Sequence, residues 1–349
     1  MRKMNYLYYI LLSVLAVFTA CDVHEWPEEV EGPQKEMARI NLIFQTAMEE
    51  KGHFYDTRSE QTIEDYEMRC ILRAFPIEGE GIVRTISRTA AWEYVLTRDV
   101  SLNDYDTSLD VEIDIPVGEY SLMVWADFVK AGTHKNHFYA PDNFAEIMLH
   151  GEHKANTDMR DAFCGITELA VTHSTVGHGT IEINMKRPLA KFTFLTTDLR
   201  EFLDKEEEEA QQRASARGEV YTRGVDLNNY RVVFHYTGFM PCAFNMFTDK
   251  PNDSKTGVSF ESNVTAVSDS EALMGFDYVF VNGVESSASL TIALYNKEGE
   301  ELFSSNPIEV PIKRCQHTIM RGKFLTIETS GGVGLVPDFD GEYNYEVKY

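Results

Sequence analysis

Positive charge is what the sequence most lacks. It sets 32 Lys and Arg against 56 Asp and Glu, for a formal net charge of −24 and a pI of about 4.8. A protein that grips a phosphate backbone needs a basic stripe to displace counterions, so nucleic acid is excluded as a partner. Electrostatic attraction to anionic lipid headgroups is disfavoured for the same reason. Cysteine is scarce at 5 residues and forms no CxxC pair, which excludes a dense disulfide framework. Hydrophobic residues, at 43 %, are not scarce. That is ample for a packed core and excludes wholesale disorder. The length of 349 residues suits two domains at roughly 100–200 residues each.

Catalytic motifs are also missing. The chain contains no GxSxG elbow, HExxH, Walker A or GxGxxG, so nothing points to an enzyme or a cofactor. Gly331-Gly332-Val333-Gly334 is glycine-rich, but no helix-forming run follows it, and it reads as a bend rather than a phosphate cradle. The acidic loops Thr248–Asp253 and Asp338–Glu342 do not match a calcium loop and read as ordinary turns. Two histidine pairs, His134/His137 and His150/His153, lie near Asp142, Glu146 and Asp158. They would form a zinc site if the segments converged, and are otherwise exposed loop histidines. Paired carboxylates of the glycosidase kind are defined by a separation in space, which sequence does not supply.

The chain opens with a basic n-region, Arg2 and Lys3, and an apolar run from Leu7 to Phe18. Thr19, Ala20 and Cys21 follow. A small residue before a cysteine at this point is the lipobox arrangement, with Phe18 in place of the usual leucine. It predicts a lipoprotein signal peptide over residues 1–20, cut before an acylated Cys21; an ordinary signal peptide with an incidental cysteine is the alternative. Two or more acyl chains suffice for stable anchoring. The apolar run is too short to span a bilayer as a helix, which needs about 20 residues. Residues 21–35, with Pro27 and Pro33 among acidic side chains, form a tether that suits neither helix nor inner strand. Trp26 stands in this tether without an obvious core, either docked or exposed.

The body reads as strands. Residues 109–115 alternate apolar and acidic side chains, a turn at Pro116–Glu119 follows, and 120–125 return; this predicts an antiparallel hairpin. Further strands are expected at 38–44, 66–75, 180–185, 191–196, 230–236, 276–282, 289–295, 308–312 and 322–327. One helix follows Asp198, expected to cap it with Glu201 as box partner. Its apolar face is Leu199, Phe202 and Leu203, and it then runs into the solvated acidic stretch 205–213. Cys70, Cys164, Cys242 and Cys315 are expected to be unpaired core thiols rather than disulfides. Trp92 and Trp125 fall in strand-like runs and read as core. Many short strands with little helix indicate β-sandwiches. The boundary is placed between domains at 36–186 and 187–349, and the strand after Pro188 is expected to pair with that at Tyr230.

Several strings acquire meaning in order: the lipobox with Cys21–Pro27, then Gly118–Asp127, Asp158–Gly165, Arg187–Phe192, Tyr236–Pro241, Val310–Cys315 and Thr318–Leu325. The ordered set resembles the FimB-type fimbrial subunit lipoproteins of Bacteroidota; Cys315 stands where relatives often have Asn. The resemblance implies an all-β fold of two transthyretin-like antiparallel β-sandwich domains with one short helix. It also implies lipid anchoring in the outer membrane and a non-enzymatic role at the base of a fimbrium. The partners it implies are fimbrial shaft subunits joined by strand addition, and the C-terminal run Gly331–Tyr349 is either an exchanged strand or a last strand folded into its own domain. The alternative is a surface lipoprotein that binds glycans or host molecules.

Overall fold

A computed structural model describes residues 35–44, 65–79, 83–99, 108–172, 180–221, 224–283, 285–326 and 344–346. The signal peptide, Cys21, the tether with Trp26, Gly331–Gly334 and Asp338–Glu342 lie outside the described residues.

The strands of the N-terminal half are β1 (Lys35–Phe44), β2 (Tyr66–Glu78), β3 (Thr85–Ile86), β4 (Trp92–Asp99), β5 (Ser108–Pro116), β6 (Gly118–Lys130), β7 (Tyr139–Ala140), β8 (Ile147–Leu149), β9 (Ala162–Val171) and β10 (Ile181–Met185). All but β7 and β8, which pair with each other in a separate sheet that continues into the C-terminal half, build two sheets whose apolar faces share one core. The first runs β10–β1–β5; in the second, β6 lies between β2 and β9, and β3 and β4 line the outer side of β2. In β5, Val111, Ile113 and Ile115 are buried while Asp110, Glu112 and Asp114 are exposed, the half-buried pattern that its alternation dictates.

The expected hairpin does not form. β5 pairs with β1, and β6 pairs with β2 and β9. The chain therefore crosses from one sheet to the facing sheet at Val117. Both strands direct alternate apolar residues into one core, and that periodicity fixes faces but not partners. Gly165 lets β10 close the sandwich against β9, since a Cβ there would stand 2.7 Å from Ile183 Cγ2 and Met185 Sδ.

The remaining strands are β11 (Leu189–Thr196), β12 (Tyr230–Tyr236), β13 (Met240–Asn245), β14 (Lys250–Lys255), β15 (Ser259–Asn263), β16 (Thr265–Ala266), β17 (Ala272–Phe280), β18 (Ser286–Asn296), β19 (Glu301–Ser304), β20 (Ile308–Ile312), β21 (His317–Gly322) and β22 (Asn344–Glu346). One sheet runs β16–β17–β11–β21–β22; a second runs β15–β12–β18–β19, with β20 also on β18. The strand after Pro188 does not pair with β12. It pairs antiparallel with β17 and parallel with β21, because a long helical excursion separates it from β12 and returns the chain to the facing sheet. The ladders β1–β10, β11–β21 and β21–β22 are parallel, and the other named ladders are antiparallel. Residues 323–326 leave the sheet, so the strand expected at 322–327 instead lies at 317–322.

The chain is thus all-β with a single α-helix among the described residues, α1 (Leu199–Ala216). Leu199 and Phe202 are buried in the second core and the acidic remainder is solvated. Asp198 does not cap it: its carboxylate instead accepts from the backbone N–H groups of Leu325 and Thr326, at 3.1 and 2.8 Å. Glu201, the expected box partner, pairs with Lys323 at 2.7 Å.

Two apolar clusters form the interior. The second is built from β11, β12, β15, β17 and β18, with Phe192, Phe194, Phe234 and Phe260 among its members. Burying each large side chain contributes about 1.5–3 kcal/mol. The first cluster draws Leu189, Phe244, Met246, Phe276, Tyr278 and Phe280 into the N-terminal sheets. Strand pairing links the halves as well, because β8 joins β13.

Candidate functional site

Charged side chains are concentrated where the two halves meet. The segment after β8 makes one 3-10 turn at Asp158–Arg160, whose first residue is preceded by Thr157; the Thr157 hydroxyl oxygen accepts from Met159 N–H at 3.2 Å. This turn presents Asp158, Arg160 and Asp161 to the C-terminal strands. Arg160 Nη1 donates to Asp277 Oδ1 at 2.5 Å and to the Lys154 carbonyl at 3.0 Å. The other Asp277 oxygen lies 2.7 Å from both His153 Nε2 and the Tyr236 hydroxyl, which donates to it. Asp161 binds Arg187 through Nε at 2.8 Å and Nη2 at 2.7 Å. Asp158 accepts from Lys191 Nζ and the Tyr278 hydroxyl, both at 2.7 Å. Arg314 donates to the Arg187 carbonyl at 2.7 Å and to Asp249 at 2.5 Å, and its Nη2 lies 3.4 Å from Cys164 Sγ.

Burial raises the Asp277 carboxyl, but the Arg160 guanidinium and His153 outweigh it and hold the group below its ordinary value. Lys191 does the same for Asp158 against its own burial. At Asp161 burial wins over Arg187 and the carboxyl is raised. Burial and the facing carboxylates push Tyr236 and Tyr278 well above the usual phenol range, so both hydroxyls stay protonated as donors. His317, whose Nε2 is 2.8 Å from Thr193 Oγ1, is pushed down to about 3 by burial and by Lys191. Such an array positions rather than reacts. Removing one member of a buried pair strands a charge at a cost of about 3–5 kcal/mol, so the pairs fix how the halves seat.

The segments that carry the histidine pairs meet, with the His150 N–H donating to the Phe138 carbonyl at 2.8 Å, but the four side chains do not form a ligand cluster. His134 is exposed with Nδ1 3.3 Å from Glu67, His150 is exposed, and His153 belongs to the junction. His137 packs edge-on against Phe138 and Tyr66, at 4.4 and 5.6 Å between ring centroids. Burial, Lys154, Lys130 and His150 push it down to about 4. Of the nearby carboxylates, Asp142 accepts from Asn136 and Asp158 is held by Lys191. Among the described residues no group of three or more His, Cys, Asp or Glu side chains could hold a metal. Cys70, Cys164, Cys242 and Cys315 are all free; the first three are buried, and Cys315 is half-buried. Trp125 is core, while Trp92 is partly buried and donates to the Asp114 carbonyl at 2.9 Å. Among the described residues no helix is long and apolar enough to cross a membrane.

Motif reading misses the junction because its members come from six separate stretches. A different signal was present, namely single charges inside apolar strand runs: Lys191 in Leu189–Thr196, Asp277 in Ala272–Phe280.

The chain is similar to several solved structures. They include the fimbrial anchor protein Mfa2 from Porphyromonas gingivalis, at 14 % identity and a TM-score of 0.33, covering 77 % of this chain and 82 % of that one. A fimbrial assembly protein from Parabacteroides distasonis shows 9 % identity and a TM-score of 0.37, covering 84 % and 94 %. A Bacteroides eggerthii protein described provisionally as a cell adhesion protein shows 12 % and 0.38, covering 90 % and 95 %. Identities and scores this low transfer no role. No curated protein matches the sequence. One family model matches residues 33–348, nearly the whole chain, and the protein therefore belongs to the Family of unknown function (DUF6562).

Proposed function

We propose that this protein is an outer-membrane lipoprotein that serves as an anchor or assembly subunit of a fimbrium of the FimB type, without enzymatic activity. In this reading residues 1–20 are removed, Cys21 carries the lipid, and residues 21–35 tether the body to the membrane. Two β-sandwich domains, 36–186 and 187–349, form a rigid base at the cell surface that shaft subunits engage by strand addition.

One observation carries the proposal. Strings that make the sequence resemble fimbrial lipoproteins supply at least one member of most junction contacts: Asp158, Arg160 and Asp161 from one, Arg187 and Lys191 from another, Tyr236 from a third, Arg314 from a fourth. The resemblance thus corresponds to a physical device that seats one half on the other, as an anchoring base requires. The names of the distant structural neighbours lie in the same direction but are not what it rests on. Glycan binding through aromatics has less support, since Trp125 is fully buried and the Trp92 indole is engaged.

The test is genetic and biochemical. Deleting the gene should release or lengthen surface fimbriae, and Cys21→Ala should abolish incorporation of labelled fatty acid and reproduce the deletion. Unchanged fimbriae in the deletion strain would overturn the proposal.

A further inference from the structure

Four side chains able to carry positive charge gather around one pair of aromatic rings in the N-terminal half. Lys130, the last residue of β6, places Nζ 3.9 Å from the centroid of the Tyr66 ring. That ring lies 5.6 Å from His137 and 6.0 Å from Phe138 between centroids. Lys154 Nζ is 5.9 Å from the Phe138 centroid, and the His150 backbone meets Phe138 through its N–H. Tyr66 and Phe138 are buried, Lys130 and His137 are half-buried, and Lys154 and His150 are exposed.

The two ammonium groups lack counter-charges. Among the described residues, neither Lys130 Nζ nor Lys154 Nζ has a carboxylate partner or a hydrogen-bond acceptor; each meets only a ring. An ammonium has three donors to satisfy. Glu67, next to Tyr66, has its carboxylate 3.3 Å from His134, and Glu152 is exposed. The field at this spot is set locally rather than by the acidic sum over the chain. Burial, then Lys154, Lys130 and His150, hold His137 deprotonated down to about pH 4, so the largest charges acting on that ring are positive.

We propose that Lys130, His137, His150 and Lys154 bind a tetrahedral oxyanion, a sulfate or phosphate group presented from outside the cell. Ammonium and imidazole act as point donors, and no guanidinium fork, which matches a planar carboxylate, is among them. The two rings are buried beneath the cations, so the neutral face of a sugar has no platform on which to stack. A divalent anion would relieve the mutual repulsion of the four groups. Position indicates the source. The described chain enters the body at Lys35, which pairs with Pro116, and β6 starts two residues later at Gly118. At about 3.3 Å per residue, the 13 residues of β6 put Lys130 roughly 40 Å from that end. With the tether fixed to the membrane, the site faces away from the cell's own headgroups. That direction rests on the lipoprotein reading; the site itself does not.

The experiment titrates inorganic sulfate, dextran sulfate and uncharged dextran into the full-length protein in a neutral detergent, by calorimetry. Sulfate should show one saturable site, and dextran none. Lys130→Gln and Lys154→Gln should each weaken sulfate binding about tenfold, as expected for loss of one charged hydrogen bond. Lys250→Gln, at an exposed lysine of β14, should leave it unchanged. Thermal unfolding of the three variants without sulfate should match that of the parent, which separates lost binding from lost folding. Dextran sulfate binding more than about tenfold tighter per sulfate group would assign the anion to a polysaccharide; equal affinity would assign it to the free ion. No saturable binding of either anion, or equal weakening by Lys250→Gln, would overturn the inference. Binding by the purified protein, with no capture of fluorescent dextran sulfate by intact cells, would uphold the site and sink its outward placement.

Discussion

Arg160 and Asp277 are separated by 117 residues of sequence, yet the guanidinium sits 2.5 Å from the carboxylate, and both side chains are almost wholly buried. Neither would be tolerated there alone. Asp277→Asn should strand the Arg160 charge and cost about 3–5 kcal/mol in urea unfolding. Arg160→Met combined with Asp277→Leu should cost markedly less than the single change, because a buried pair replaced by apolar groups is often near neutral.

Acid should act first through His317. Its imidazole is held neutral, with a folded value near 3 against the ordinary 6.5. Between those values the unfolded chain binds a proton that the folded chain refuses, so stability rises with pH across the window and is lost as pH falls from about 6.5 toward 3. The slope is at most about 1.4 kcal/mol per pH unit from this group. The depressed carboxyls of Asp277 and Asp158 add their own loss at the acid end. His317→Gln should lessen the dependence between pH 6 and 4, read from chemical unfolding at each pH, and the remainder should include His137, whose folded value is about 4.

Cys315 has a φ of 60°, in the left-handed region that costs most L residues about 1 kcal/mol and that Asn visits readily. Cys315→Asn should therefore stabilise the protein by about 0.5–1 kcal/mol, visible as a raised Tm. A fall in Tm would mean that the Sγ contact to the Arg187 carbonyl, at 3.5 Å, matters more than the backbone.

Asp198 latches the chain after β21. Asp198→Ala removes acceptors for Leu325 and Thr326 N–H and for the Thr326 hydroxyl. Hydrogen bonds to a charged group contribute about 1.5–3 kcal/mol. Amide exchange at 325 and 326 should accelerate, while exchange in β2 and β6 should not.

What sequence revealed divides by periodicity. β5, β12 and β18 bury one face and alternate, so a period of two exposes them. β9 begins with Ala162–Gly165 buried on both faces and changes pattern at Ile166, which hides it from that test. The mistaken hairpin shows the limit: Val111, Ile113 and Ile115 define a face correctly, but whether β6 lies beside or across from β5 is decided by β1, more than 70 residues away. Asp198 looked like a cap because its local signal was complete; a partner segment 128 residues later competes for the same carboxylate and wins. The junction is invisible for the same reason, since Asp161 and Arg187, or Asp158 and Lys191, are pairs only in space.

The placing of β1 has a mechanical consequence. It is the central strand of its sheet, antiparallel to β5 along Lys35–Ile43 and parallel to β10 along Ile40–Phe44. A pull along its axis from Lys35 strains both ladders in shear, so rupture requires their hydrogen bonds to fail together rather than to unzip in turn. Tension that enters the body there is spread over two neighbouring strands at once, and the resistance to it is set by an unfolding rate rather than by equilibrium stability.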